Sequence, residues 1–193
     1  MTERPILMND EMVRAILAGR KTMTRRPMPL PEGEWVELRR DNDGTLRMWH
    51  QRAVTRWPMM MGTCSPFGIP GDLLYVRECW APACDNGCCT YYRATYKGHR
   101  PPYYGWKPSI HMPKKRARIW LRVERVWVGQ VQEMSDNDAH AEGFSATCRE
   151  GEGLYTASMN FARVWDSIYA DRGLGWDDNP WVWACEFEVM DHD

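Results

Sequence analysis

Long apolar runs are what this chain of 193 residues most plainly lacks: no stretch approaches the ~20 consecutive apolar residues of a membrane-crossing helix. Its first residues, MTERPILMNDEMVR, hold no apolar core of signal-peptide length. The seven cysteines are an odd number, and without a secretion signal they point to reduced thiols in a cytoplasm rather than to a disulfide framework. Cys84, Cys88 and Cys89 cluster, with Cys79 and Cys64 upstream, but the second CxxC or HxxxH pair that would complete a zinc site is missing. No metal and no cofactor is expected. There is also no G-x-S-x-G elbow, H-E-x-x-H pair, G-x-G-x-x-G loop or paired-carboxylate nuclease motif. Lys21-Thr22 is not a phosphate loop, because no glycine directly precedes the lysine and Arg14 stands where the first glycine would be.

What is present suits one globular domain. Hydrophobic residues make up 44% and charged residues 26%, so the chain can bury a core and is not disordered wholesale. Eleven Trp and thirteen Met are unusually many. The net charge of −1 hides a strong asymmetry. Residues 93–125 carry ten Lys or Arg against Glu124 alone, whereas residues 133–193 carry fourteen Asp or Glu against Arg149, Arg163 and Arg172. Such a division either orients the molecule on a phosphate backbone or lets the two blocks face one another and cancel.

The element pattern is legible in places. Asn9 can cap a helix with Asp10 and Glu11 in its first turn, Met12, Ala15 and Ile16 on its apolar face and Gly19 as its stop. KTMTRR (21–26) follows as a short strand ended by prolines. Residues 32–70 read as irregular, with a hairpin around Asp41-Asn42-Asp43-Gly44. Pro70-Gly71-Asp72 turns into a buried strand, LLYVRECW, and TYYRATY (90–96) reads as another. Residues 97–113 read as a loop. In RARIWLRVERVWV (116–128) the set Ile119, Leu121, Val123 alternates, and a bulge is needed to keep Val126 and Val128 on the same face. Ser135 caps a short helix stopped by Gly143. An amphipathic helix over about 159–170 turns Phe161, Val164, Trp165 and Ile168 inward, and WVWACEFEVM closes as a strand. The pattern predicts an α+β fold with a mixed, mostly antiparallel sheet.

Four segments, in this order, resemble the ASCH domain family in its longer bacterial and phage form. Ile16-Leu17-Ala18-Gly19-Arg20-Lys21-Thr22-Met23-Thr24-Arg25-Arg26 is similar to the family's GxKxxTxR signature. Gly71 to Trp80, GDLLYVRECW, resembles its GD-x-hydrophobic-x-V strand with an R-E-x-W ending. Ala139-His140-Ala141-Glu142-Gly143-Phe144 is similar to its A-x-x-E-G helix, and Pro180 to Phe187 to its closing strand. With Pro108 to Pro113, the matched stretches cover roughly 6–26, 66–145 and 160–188, and residues of about 32–62 look like an insertion into a single domain spanning 1–193. The resemblance implies a PUA-like, partly closed barrel of six or seven strands with flanking short helices, a pocket for a nucleobase or nucleic acid, and a phage or prophage origin.

One branch of that family removes the acetyl group from N4-acetylcytidine with a Lys, a Thr and a Glu. By motif these fall on Lys21, Thr24 and Glu142. The chemistry is coherent, since a Thr hydroxyl needs a neighbouring base and a buried Lys can serve if its pKa falls. A regular strand would point residues 21 and 24 to opposite faces, so the trio requires Lys21 to occupy the helix-to-strand bend after Gly19. Arg26 can bind a phosphate or carbonyl oxygen, Arg77 and Glu78 form a neighbouring charged pair with Glu78 as a reserve acid, and Trp80, Tyr92 and Trp106 can stack on a base. His111 can bond a base edge, and Lys114, Lys115, Arg116 and Arg118 can track phosphates. Two readings stay open. One is an amidohydrolase on N4-acylated cytosine nucleosides. The other is an RNA- or single-stranded-DNA-binding module, non-catalytic or weakly ribonucleolytic, with each of these residues also explicable as ordinary core or surface.

Overall fold

The computed structural model describes residues 1–28, 36–40, 42, 46–51, 60–83, 89–98, 102–149 and 153–190. The chain opens with β1 (Glu3–Leu7) and turns at once into α1 (Asp10–Leu17), where Asn9 Oδ1 accepts the Met12 N–H at 2.8 Å. Val13, Ala15 and Ile16 face inward. Gly19, in the left-handed region at φ +68°, ends the helix and lets the chain double back. Next come β2 (Met23–Pro27) and a meander of β3 (Val36–Arg40), β4 (Leu46–Gln51) and β5 (Met60–Cys64). β6 (Leu73–Arg77) follows, then a small hairpin of β7 (Trp80–Pro82) and β8 (Thr90–Tyr92). The long β9 (Trp120–Gln130) leads to α2 (Asp136–Ala141), the two-stranded β10 (Thr147–Arg149) and β11 (Gly153–Tyr155), α3 (Ala157–Tyr169) and finally β12 (Trp181–Met190).

The central sheet has the order β1-β6-β9-β12-β2. Only β1 and β6 are parallel; the remaining pairs are antiparallel, so the fold is α+β with a mostly antiparallel sheet. β12 lies between β9 and β2, and its residues Val182, Trp183, Ala184 and Cys185 are all buried, which explains why WVWAC reads as a continuous apolar run. Trp183, Cys185 and Phe187 join the inner core with Ile6, Leu74, Val76, Leu121, Val123 and the α1 residues Val13 and Ile16. Val182 turns to the opposite face and packs with Phe161 and Trp165 of α3, Ala139 of α2 and Val131. The bulge required by the β9 pattern is present: Glu186 pairs with Arg125 but Phe187 with Val123, leaving Glu124 as the extra residue.

Several expectations need correction. No closed barrel forms among the described residues, because the edge strands β1 and β2 share no ladder. The sheet curls only until Arg26 of β2 can donate through Nη2 to the Leu7 carbonyl at the end of β1, at 2.9 Å. The described residues between 36 and 64 are not irregular but include the β3-β4-β5 sheet, which among the described residues pairs with no strand of the central sheet. β3 and β4 pair antiparallel with Arg40 opposite Leu46, and of the hairpin expected at 41–44 Asp41, Asp43 and Gly44 lie outside the described residues. TYYRATY is a strand only to Tyr92. Its partner strand begins at Trp80, and the chain coils into a single 3₁₀ turn over Arg93–Thr95. α3 starts at Ala157, capped by Thr156, and Ile168 is exposed rather than inward. No helix among the described residues is long and apolar enough to cross a membrane.

Gly143, just past the end of α2, is where sterics bind hardest. Its φ is +95°, and a Cβ there would lie 2.9 Å from the Ala15 Cβ and 3.3 Å from the Lys21 Cβ. Gly143→Ala combines backbone strain with a clash against α1 and should lower the unfolding free energy by about 2–4 kcal/mol. A urea titration followed by tryptophan fluorescence reads this directly, and an unchanged midpoint would mean that α1 and α2 do not meet at this glycine.

Candidate functional site

The helix stop at Gly19 and the helix stop at Gly143 bring two chain segments side by side. Lys21 and Glu142 form an isolated antiparallel bridge, and Thr22 N–H donates to the Ala141 carbonyl at 2.8 Å. The bend after Gly19 removes Lys21 from the alternation of β2. Its side chain is fully buried, and Nζ donates to the Met23 carbonyl (2.7 Å), the Glu142 carbonyl (3.0 Å) and Glu142 Oε2 (2.6 Å). Three acceptors match the three N–H bonds of an ammonium. Burial nevertheless pushes the Lys21 pKa below the ordinary lysine value, with the Glu142 carboxylate pulling it back up.

Glu142 is 3% exposed and serves a second cation. Arg25 donates through Nη1 to Glu142 Oε1 (3.3 Å) and through Nη2 to Asp138 Oδ2 (2.9 Å). Asp138 also closes the α2 capping box with Ser135, so the helix cap and the buried charges share one carboxylate. Arg25 and Asp138 were missed at the sequence level. The available signal was alternation: Arg25 stands one residue from Thr24 and therefore faces the helix side of β2.

Thr24 and Arg26 point the other way, opposite Cys185 and Trp183 of β12. Thr24 is fully buried, and its Oγ1 accepts from Arg26 Nη1 at 2.9 Å. It is not hydrogen-bonded to Lys21. Cys185 beside it is an inert thiol, pushed up to about 12 by burial. Arg26 donates further to the Arg25 carbonyl (2.7 Å) and to Leu7 O, and no carboxylate lies within ion-pair distance of it among the described residues.

Arg26 borders a cleft of about 530 Å³ between α1, the end of α3 and the loop before Ser109. Its walls include Met8, Met12, Trp106 and Tyr169, with Arg93 and Arg172 at the rim. Trp106 is half-buried and braced edge-on by Tyr96, with ring centres 5.3 Å apart. Arg93 is tied to Asp10 at 2.5 Å. Glu142 and Arg26 also share a narrow space of about 20 Å³ beneath α3, adjoining the cleft through Met12, Ile168 and Tyr169. The α1 and α3 contributions carry no motif, because they are brought together only by packing.

The other candidates gather elsewhere. Arg118 forks onto buried Glu78, Nε to Oε1 at 2.8 Å and Nη2 to Oε2 at 2.9 Å, which occupies both oxygens of the reserve acid. Its guanidinium also covers the Tyr92 ring at 4.0 Å. Trp80 is buried under Arg116 (4.7 Å) and Lys107 (5.3 Å), so neither aromatic ring is an open platform. Arg77 donates to the Ile110 carbonyl, His111 and Lys115 are exposed, and Lys114 pairs with Glu3. Much of the basic block is thus matched internally, with Arg122 and Arg125 on Glu188 and Glu186 of β12. Cys79 lines the cleft, Cys64 and Cys89 are exposed, and Cys84 and Cys88 lie outside the described residues. Among the described residues no cluster of His, Cys, Asp or Glu could hold a metal ion.

A scan against protein-family models and searches of curated proteins and of solved structures return no match.

The Lys21–Glu142 pair predicts an asymmetric mutational response. Glu142→Ala leaves a buried cation with two carbonyls and should cost about 3–5 kcal/mol, while replacing both partners, Lys21→Met with Glu142→Leu, should recover part of that loss, with Arg25 then held by Asp138. Urea unfolding of the single and double variants checks it; equal losses would show that the pair is solvated rather than buried.

Proposed function

We propose that this chain is an ASCH-type protein of PUA-like fold whose cleft binds a nucleobase-bearing ligand, such as a modified nucleoside. The observation that carries the reading is Arg26. A cation held in place by three oxygen acceptors, with no carboxylate to neutralise it, faces a cleft large enough for a nucleoside and walled by Trp106 and Tyr169. A base can stack on the half-buried indole while its carbonyl or a phosphate accepts from the guanidinium. The internal pairing of Lys114, Arg118, Arg122 and Arg125 favours a small ligand over a long strand. RNA or single-stranded DNA is the alternative ligand, and the same measurement separates the two.

Calorimetric titration with cytidine, N4-acetylcytidine, cytidine monophosphate and short RNA and DNA strands is the test. Arg26→Ala should weaken binding about tenfold or more, the equivalent of one charge-assisted hydrogen bond, and Trp106→Ala by a similar factor. Binding that ignores both substitutions, or no binding by any of these compounds, overturns the assignment.

A second reading, hydrolysis of an N4-acyl cytosine, is favoured by the lowered pKa of Lys21 and by the place of Glu142 on the space adjoining the cleft. In that reading Thr24 Oγ attacks the acyl carbon and its proton passes to neutral Lys21. Glu142 relays a proton to the departing exocyclic amine, and water then releases the acid from the acyl-enzyme. Thr24 must first leave Arg26, and Lys21 must give up one of its three acceptors. Incubation with N4-acetylcytidine followed by mass analysis should then show turnover that falls by orders of magnitude in Lys21→Ala, Thr24→Ala and Glu142→Ala alike, with Thr24→Ser partly active. Equal turnover by wild type and Thr24→Ala rejects the nucleophile.

A further inference from the structure

The cleft beside Arg26 has a sign as well as a shape. Its lining carries three guanidinium groups, Arg26, Arg93 and Arg172, against a single carboxylate, Asp10. Arg26 is fixed on three oxygens of its own chain. The other two arginines are placed differently.

Arg93 belongs to the 3₁₀ turn after β8 and meets Asp10 through Nε alone, at 2.5 Å. A guanidinium has five N–H bonds, and this contact uses one of them. Neither terminal nitrogen of Arg93 has an acceptor among the described residues. Half of the side chain is exposed, so these donors are within reach of a ligand. Asp10 therefore clamps the guanidinium while leaving its terminal fork open, the face with which arginine grips a phosphate by parallel bonds.

Arg172 comes from a different wall, in the 3₁₀ turn Ala170–Arg172 that follows α3. It is exposed, and its guanidinium lies 5.9 Å from the centre of the Tyr169 ring. It has no hydrogen-bond acceptor and no ion-pair partner among the described residues. A ring face steadies a guanidinium without occupying its N–H donors.

Two arginines with unused donors, beside one carboxylate that is already engaged, favour an anion. Trp106, Tyr169 and two methionines in the same lining favour a flat ring. A phosphate monoester supplies three acceptor oxygens and a charge of about −2, whereas a phosphodiester within a strand has fewer free oxygens and a single charge.

We propose that the cleft takes a nucleoside monophosphate whose terminal phosphate is held by Arg93 and Arg172, in preference to a free nucleoside or an internal nucleotide of a strand. The inference rests on the base-binding reading given above and adds the phosphate end to it.

Calorimetric titration with cytidine, its 5′- and 3′-monophosphates, the dinucleoside phosphate CpC and ribose 5-phosphate is the test. At least one monophosphate should bind about tenfold or more tightly than cytidine and CpC, and this gain should shrink as KCl is raised. Arg93→Gln and Arg172→Gln should each remove most of the gain. Lys97→Gln, at an exposed position outside the cleft, should keep it. A damaged fold weakens cytidine and its monophosphates alike, and the exposed Arg172 carries the comparison if Arg93→Gln loosens α1. The inference is overturned, with base binding intact, if cytidine binds and neither monophosphate binds more tightly. It is overturned equally if both arginine variants keep the gain. Ribose 5-phosphate binding as tightly as the monophosphates, and lost in both arginine variants, upholds the phosphate end and overturns base recognition. No binding by any of the five compounds overturns both.

Discussion

Burying the charge of Lys21 constrains everything around it. An ammonium removed from water is tolerated only with oxygen acceptors on all sides, and here those come from Met23 and from both the backbone and side chain of Glu142. That demand pins the end of α2 to the start of β2. Glu142 in turn holds Arg25, Arg25 holds Asp138, and Asp138 caps α2. One buried lysine therefore sets the position of a helix, a helix cap and the strand that carries Thr24 and Arg26. The glycines at 19 and 143 are the geometric counterpart, because only left-handed turns at both helix ends let the two segments approach so closely.

The same arrangement separates two jobs along β2. Residues on its helix side, Met23 and Arg25, belong to the charge network. Those on its inner side, Thr24 and Arg26, line up with Cys185 and Trp183 of β12. Arg26 donates to the Leu7 carbonyl across the gap between β1 and β2 and to the Thr24 hydroxyl within the strand, and it lines the cleft. Its position follows from that gap, since a ladder between β1 and β2 would have given the Leu7 carbonyl a backbone partner instead.

Local chemistry was what the sequence disclosed best. Asn9 and Ser135 are caps whose oxygens accept a nearby N–H, and Gly19 and Gly143 end their helices with positive φ, so each could be recognised from a few neighbours. The need for a bulge in β9 was visible because Val123 and Val126 are three apart and yet both inward. Non-local pairing was hidden. In the β3-β4-β5 meander only the short Val36–Arg39 stretch alternates apolar and polar residues; LRMWHQ and MMGTC do not. TYYRATY has high strand propensity throughout, yet its ladder stops where its partner runs out. The cleft walls Met8, Met12 and Tyr169 come from separate helices and loops, and no spacing in the chain announces their convergence. Glu78 looked like a spare acid only because Arg118, its partner 40 residues on, was invisible in one dimension.

The interior position of β12 in the sheet has a consequence for how the molecule is made. This strand follows all the others in the chain, yet it lies between β9 and β2 and contributes to both cores. During synthesis β2 waits from the first thirty or so residues until β12 emerges before it gains its sheet partner, and the inner wall of Ile6, Leu74 and Leu121 meanwhile lacks Trp183 and Phe187. The nascent chain thus presents an unpaired strand and an open apolar face until β12 has been made. Completion of the sheet therefore waits for β12, and a nascent chain stalled before it would be exposed to chaperones, proteases and other nascent chains.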